Sequence, residues 1–150
     1  MTMKPFIYTT YIITSPEKLW TALTNGEFTN QYFFGRVVQS DWQEGSKVEY
    51  VTSEGDLDVS GEVLIAEPFK KLSVSWIHVN DHRKVPAIVT FRLKKMNEAV
   101  KLTLVHENLQ ENDLVEEENS FAGLNNGWPA ILSNLKSLLE TGKVMSVMNM

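Results

Sequence analysis

Trp128, Ile131, Leu132, Leu135, Leu138 and Leu139 recur three and four residues apart near the end of the chain. That spacing draws one apolar stripe along an α-helix and leaves the opposite side polar. Gly142 follows the stripe, and glycine tolerates the left-handed backbone with which many helices end. Phe121 and Leu124 extend the stripe upstream, so the spacing predicts a terminal helix of more than about twenty residues. Such a helix needs a broad apolar surface to cover its stripe, and most of what precedes it reads as strands. The expected architecture is a sheet wrapped around one long C-terminal helix.

Residues 6–13 are dense in β-branched and aromatic side chains and read as the first strand. In Ser15-Pro16-Glu17-Lys18, Ser15 is a good N-cap and Pro16 suits the first helical position. Leu19, Trp20 and Leu23 give the short helix that follows an apolar side, ending near Asn25-Gly26. A second short helix is expected over residues 27–32, with Phe28, Tyr32 and Phe33 turned inward. Six further strands are expected at 36–40, 47–52, 59–66, 72–76, 87–95 and 100–107. Val48 and Tyr50 share a face, as do Leu72, Val74 and Trp76, then Val89, Phe91 and Leu93, then Leu102, Leu104 and His106. Alternation of this kind marks antiparallel strands with one face on a core. The chain therefore reads as one α+β domain over residues 1–150, with two short helices after strand one.

Composition narrows the function classes. Nineteen acidic residues outnumber fourteen basic ones, for a net charge of -5, which argues against a nucleic-acid partner. With no cysteine, disulfides, thiol catalysis and thiolate metal sites are excluded. No apolar run approaches the length of about eighteen residues needed to span a membrane. The N-terminus lacks the apolar stretch and small-residue cleavage site of a secretory signal, so a cytoplasmic protein is expected. Glu111, Asp113, Glu116, Glu117 and Glu118 read as a solvated loop and helix start. There is no phosphate-cradling glycine loop, no G-x-S-x-G elbow and no H-E-x-x-H pair. Neither a cofactor nor a metal is expected, and catalysis has no support in the sequence.

Five stretches carry a family resemblance: residues 15–24, 40–45, 61–68 and 102–107, and Gly127-Trp128 with its leucine run to Gly142. In order and spacing they resemble single-domain homologues of the activator of heat-shock-protein ATPase family. That family belongs to the START-like, birch-pollen-allergen-like superfamily. The resemblance implies a helix-grip fold, in which a curved seven-stranded antiparallel sheet grips the C-terminal helix around a cavity. Members of the wider superfamily bind lipids, hormones and polyketides there, and a few do chemistry. A chaperone partner and a stress-response role are expectations of the resemblance alone. The chain departs from the family pattern at Pro129, where the helix either begins afresh or bends.

The residues expected to line a cavity are Phe33, Phe34, Tyr50, Trp76, Phe91, His106 and Trp128. Apolar walls with a few polar groups build most small-molecule sites, although a domain of this size also needs large side chains to fill its core. His106 shares the inward face of its strand. It could donate to a ligand or act as a base near neutral pH, or be a core-edge histidine satisfied by its neighbours. His78, Asp81 and His82 read as solvated loop residues, and Asp41-Trp42 as a turn acid over a packed aromatic. The leading expectation is a binding module for a small apolar or amphipathic molecule. A cyclase or hydrolase using His106 with Tyr50 is one alternative. Another is a protein-interaction module presenting Phe33 and Phe34. A monomer and a homodimer both remain open, and the methionine-rich tail at 145–150 reads as a frayed end or a partner contact.

Overall fold

The alternating runs pair into one antiparallel sheet in the computed structural model, which describes residues 3–145. Its strands are β1 (Phe6–Ile13), β2 (Val37–Ser40), β3 (Lys47–Val51), β4 (Leu57–Glu67), β5 (Lys71–His78), β6 (Ala87–Met96) and β7 (Ala99–Glu107). Their order across the sheet is β1-β7-β6-β5-β4-β3-β2. From β2 to β7 each strand lies beside its neighbour in sequence, as short turns favour, and β1 closes onto β7. In β7, Val100, Leu102, Leu104 and His106 are buried while the residues between them are not. Alternation thus sets which side of the strand meets the core.

Two short helices bridge β1 and β2. Helix α1 (Pro16–Thr24) starts where Ser15 Oγ accepts from Lys18 N at 3.2 Å, with Pro16 in its first turn. Asn25 ends α1 and starts α2 (Gly26–Tyr32). Its backbone N–H donates to Thr21 O, and its side-chain oxygen accepts from Glu27 N at 2.8 Å. The Tyr32 hydroxyl donates to Ala22 O at 2.9 Å, tying the two helices together. Thr29 Oγ1 accepts from Val38 N at 3.0 Å and fastens α2 to β2.

The terminal helix α3 spans Leu124–Thr141, 18 residues, shorter than the stripe suggests. Phe121 lies outside it because the chain turns at Gly123 (φ 81°). There the Asn125 side chain bonds both the N–H and the carbonyl of Val115, at 2.9 and 2.8 Å. Asn126 reaches the carbonyls of Val115, Glu117 and Ala122. These asparagines satisfy backbone that a longer helix would have taken up. Pro129 lies inside the helix, preceded by five helical residues, Leu124 to Trp128. The helix therefore does not begin afresh there, although Asn125 O loses the donor that a non-proline residue would supply. Gly142 ends it in the left-handed conformation, its N–H donating to Leu138 O at 2.8 Å.

Trp128, Ile131, Leu132, Leu135 and Leu138 face the sheet and are buried. Helix α3 also covers the free edge of β1. Lys136 Nζ donates to Tyr11 O at 2.5 Å, Ile13 N donates to Glu140 Oε2 at 2.8 Å, and the two charged side chains pair at 2.8 Å. An uncovered edge would offer its backbone groups to other chains. Of the methionine-rich tail, only Met145 is among the described residues; its N donates to Asn134 Oδ1 at 2.6 Å. Among the described residues no helix is long and apolar enough to cross a membrane. The curved sheet, the two small helices and the gripping of α3 make this a helix-grip fold.

Candidate functional site

A cleft of about 350 Å³ opens where the first half of α3 leaves the sheet, a volume within the range of small-molecule sites. Its floor comes from the ends of β5, β6 and β7, its side from Phe33 and Phe34 after α2. Its outer wall comes from the segment between β7 and α3.

Of the seven side chains expected to line a cavity, Phe33, Phe34, Trp76, His106 and Trp128 meet here. Tyr50 and Phe91 do not line it. Tyr50 stacks behind Phe33 and Trp76, with ring centroids 5.1 and 4.9 Å away. Phe91 meets the far side of Trp128 edge-on at 6.0 Å. Alternation gives the face of a strand but not the depth below a helix, which explains both displacements. Burial also pushes the Tyr50 hydroxyl well above its ordinary pKa, so it stays protonated, and it lies outside the cleft that His106 lines.

Phe33 and Phe34 also do not form an exposed patch. Phe33 is 8% exposed, and Phe34 is half-buried with its ring 5.9 Å from Phe121. At the tight turn of Phe34 (φ 49°) and Gly35 (φ 78°), Phe33 meets Trp128 of α3 and Phe34 meets Phe121 in the segment before it. Large apolar side chains that are exposed lie elsewhere, among them Ile7, Tyr11 and Ile13 on the outer face of β1.

His106 is 4% exposed. Its Nδ1 accepts the indole N–H of Trp128 at 2.9 Å. That nitrogen therefore holds no proton, and the neutral ring carries its proton on Nε2. Burial lowers the His106 pKa from its ordinary 6.5 to about 4; the Asp113 charge opposes this, and Arg83 and His78 add to it. With one nitrogen engaged and the other protonated, the ring is a hydrogen-bond donor toward the cleft and not a base.

The pKa shift has a stability consequence. Because the folded-state value lies below the unfolded one, the unfolded chain takes up the proton first as pH falls. Stability is therefore fully present above pH 6.5 and is lost toward pH 4. About 2 kcal/mol should be gone by roughly pH 5. Asp58, Asp113 and Glu140 also have lowered pKa values. Their contributions are lost only as pH falls through and below the ordinary carboxylate range, about 4. The interval from about pH 6.5 to 5 thus isolates the histidine. Urea unfolding across that interval should show the slope in the wild type and lose it in His106→Gln. An equal slope in both would refute the assignment.

The mouth of the cleft is charged, and here the sequence reading is corrected. The loop around Asp81 and His82 reads as solvated, yet the side chain of Arg83 beside them is only 5% exposed. Its Nη1 and Nη2 donate to Asp113 Oδ2 and Oδ1 at 3.0 and 2.6 Å, and its Nε donates to Asp81 Oδ2 at 2.7 Å. Paired, planar contacts of this kind are the strong form of a salt bridge. Burial works against the Asp113 charge, but the Arg83 hydrogen bonds outweigh it and hold the carboxyl below its usual range. Asp113, expected in a solvated acidic run, instead pins the segment from Asn108 to Gly123 over the cleft. Asp81 is likewise a partner of Arg83 and not a solvated loop acid. Across the mouth, Arg36 Nε donates to Asp58 Oδ2 at 3.1 Å, with His78 Nδ1 3.7 Å from Asp58 Oδ1.

Nothing in the sequence marks an arginine and an aspartate thirty residues apart as partners. His82 is exposed. Among the described residues no group of three or more His, Cys, Asp or Glu could hold a metal ion. Asp41 and Trp42 line a separate shallow depression, where the Trp42 indole donates to Thr24 O at 2.9 Å.

A family model described as "Activator of Hsp90 ATPase homolog 1-like protein" matches residues 13–140. The chain belongs to this family. The matched span begins at the last residue of β1 and ends one residue before the close of α3, so it includes every residue that lines the cleft. Protein MLL2253 from Mesorhizobium loti is 23% identical, with 91% of this chain and 96% of that chain covered and a TM-score of 0.73. The Aha1 dimer from Colwellia psychrerythraea is 20% identical over 94% of this chain and 99% of that one, with a TM-score of 0.74. PFC0360w, an HSP90 activator from Plasmodium falciparum, is 21% identical over 91% and 96%, with a TM-score of 0.72. Identities this low establish the shared fold alone. No curated protein matches the chain significantly in sequence.

Proposed function

We propose that residues 1–150 work as one START-like domain that takes up a small, largely apolar molecule in the cleft beneath α3. The observation that carries this reading is the meeting of Phe33, Trp76 and Trp128 around open space, with His106 set among them. Aromatic walls give up their contact with water when a guest enters, at roughly 25 cal/mol per Å² of apolar surface buried. A single neutral donor in such a wall orients a guest without the cost of burying a charge. No nucleophile activated by His106 enters this reading, because its Nδ1 is occupied and its Nε2 is protonated.

Leu124 lines the cleft at the start of α3, and Leu124→Trp should fill the space while leaving the sheet intact. Titration with acetylnaphthalene and with ethylnaphthalene, followed by tryptophan fluorescence, should show one saturable site in the wild type and none in Leu124→Trp. Absence of binding of both probes to the wild type, or equal affinities in the two proteins, would reject uptake in this cleft.

The chaperone-related reading draws on the neighbours described as Aha1 and an HSP90 activator. It ranks second because the side chains expected to carry it, Phe33 and Phe34, turn into the cleft. Retention of a heat-shock chaperone by immobilised wild type and Leu124→Trp alike would reverse that order.

A further inference from the structure

Two N–H groups in the cleft wall have no acceptor among the described residues. Trp128 fixes the His106 proton on Nε2, and no described residue accepts from that nitrogen. Yet no fully buried side-chain nitrogen or oxygen among the described residues lacks a partner. The Nε2–H group of this almost wholly buried ring therefore reaches the open space that the ring lines. The same holds for the indole N–H of Trp76, whose ring centroid lies 6.3 Å from that of His106. Both donors look out from walls that are otherwise aromatic: Trp76 and Trp128 are 5.4 Å apart, and Phe33 meets Trp128 edge-on at 5.5 Å.

The charge at the mouth restricts what enters. Asp58, Asp81 and Asp113 face Arg36 and Arg83 there, an excess of one carboxylate over the guanidinium groups. Arg83 already spends its nitrogens on Asp81 and Asp113, so it is a poor counter-ion for an anionic guest. Deeper in, the donors are neutral and the surroundings dry, where an unpaired carboxylate is costly to bury.

We propose that the cleft selects neutral aromatic carbonyl compounds, with the ring system among Phe33, Trp76 and Trp128 and the carbonyl oxygen accepting from His106 Nε2–H. Trp76 Nε1–H is the second donor, since a carbonyl oxygen carries two lone pairs. The proposal rests on the uptake reading above and goes beyond it by fixing the chemistry of the guest. A guest of the same shape without an acceptor leaves the donors facing an apolar body, which a hydrogen-bonding site penalises.

Three probes of one ring system separate the possibilities: acetylnaphthalene, a neutral ketone; ethylnaphthalene, of similar shape without an acceptor; and naphthoate, an anion. Affinities are measured for the wild type and for His106→Phe. The ratio of ketone to hydrocarbon affinity should fall about tenfold in the variant. Naphthoate should bind the wild type at least about tenfold more weakly than the ketone. Ring-nitrogen NMR of the wild type guards against a variant that does not fold, since the His106 Nε2 signal should move with the ketone and stay with the hydrocarbon. An unmoved Nε2 signal in saturating ketone, or naphthoate binding as tightly as the ketone, overturns the proposal while leaving uptake intact. Failure of all three probes to bind overturns both.

Discussion

Gly61→Ala should cost about 3 kcal/mol of stability or more and lower Tm by roughly 10 °C. Gly61 lies in the middle of β4, between β3, where it faces Val48, and β5. A methyl group there would sit inside the contact distance of the Ser75 carbonyl oxygen and 2.6 Å from its carbonyl carbon. The obstacle is backbone and cannot rotate away. Ser75 is held from the other side by β6, opposite Ile88, so β5 cannot withdraw without breaking a second ladder. The local geometry is irregular as well. The register of β4 against β5 shifts between Val63 and Ile65, and Glu62 N donates to Ser75 Oγ at 2.9 Å. Thermal and urea unfolding, followed by circular dichroism, measure the loss. A cost below about 1 kcal/mol would show that the two strands can part without consequence.

Trp128→Ala should destabilise the protein by about 4 kcal/mol. The side chain is 4% exposed and touches the rings of Phe33, Trp76, Phe91 and His106, all within 6.2 Å between centroids. Its removal leaves a void at the crossing of α3 and the sheet, and deprives His106 Nδ1 of its donor. Trp128→Phe separates the two effects. It keeps most of the packing and loses the hydrogen bond, for an expected cost of about 1 to 2 kcal/mol. Equal costs for the two variants in urea unfolding would mean that the hydrogen bond, and not the ring, holds this corner. Histidine ring NMR supplies a second check, because without the indole donor the proton of His106 is free to reside on either nitrogen.

Much of the architecture was legible because it is a local property of the backbone. A strand points successive side chains to opposite faces, and a helix brings every third and fourth residue to one side. Ser15, Pro16 and Gly142 took their expected capping positions, since capping depends only on a few adjacent residues. Helix α3 starts later than its apolar stripe for a complementary reason. Phe121 continues the stripe, but Asn125 and Asn126 spend their amides on the preceding segment, and no periodicity records that.

The site was legible only in part. The inward set Trp76, His106 and Trp128 follows from alternation and helical spacing. Tyr50 and Phe91 obey the same pattern yet pack behind the others, because depth under α3 depends on where the helix crosses the sheet.

By itself, then, the sequence determined that seven strands would turn one face toward a terminal helix, and which aromatic residues would share that face. Tertiary structure alone decided that Arg83 would pair with Asp113 across thirty residues of chain, and that Trp128 would set the proton of His106. Periodicity is written between neighbours along the chain. A hydrogen bond between distant residues exists only once the sheet and helix have closed on each other and excluded the water that would otherwise satisfy both partners.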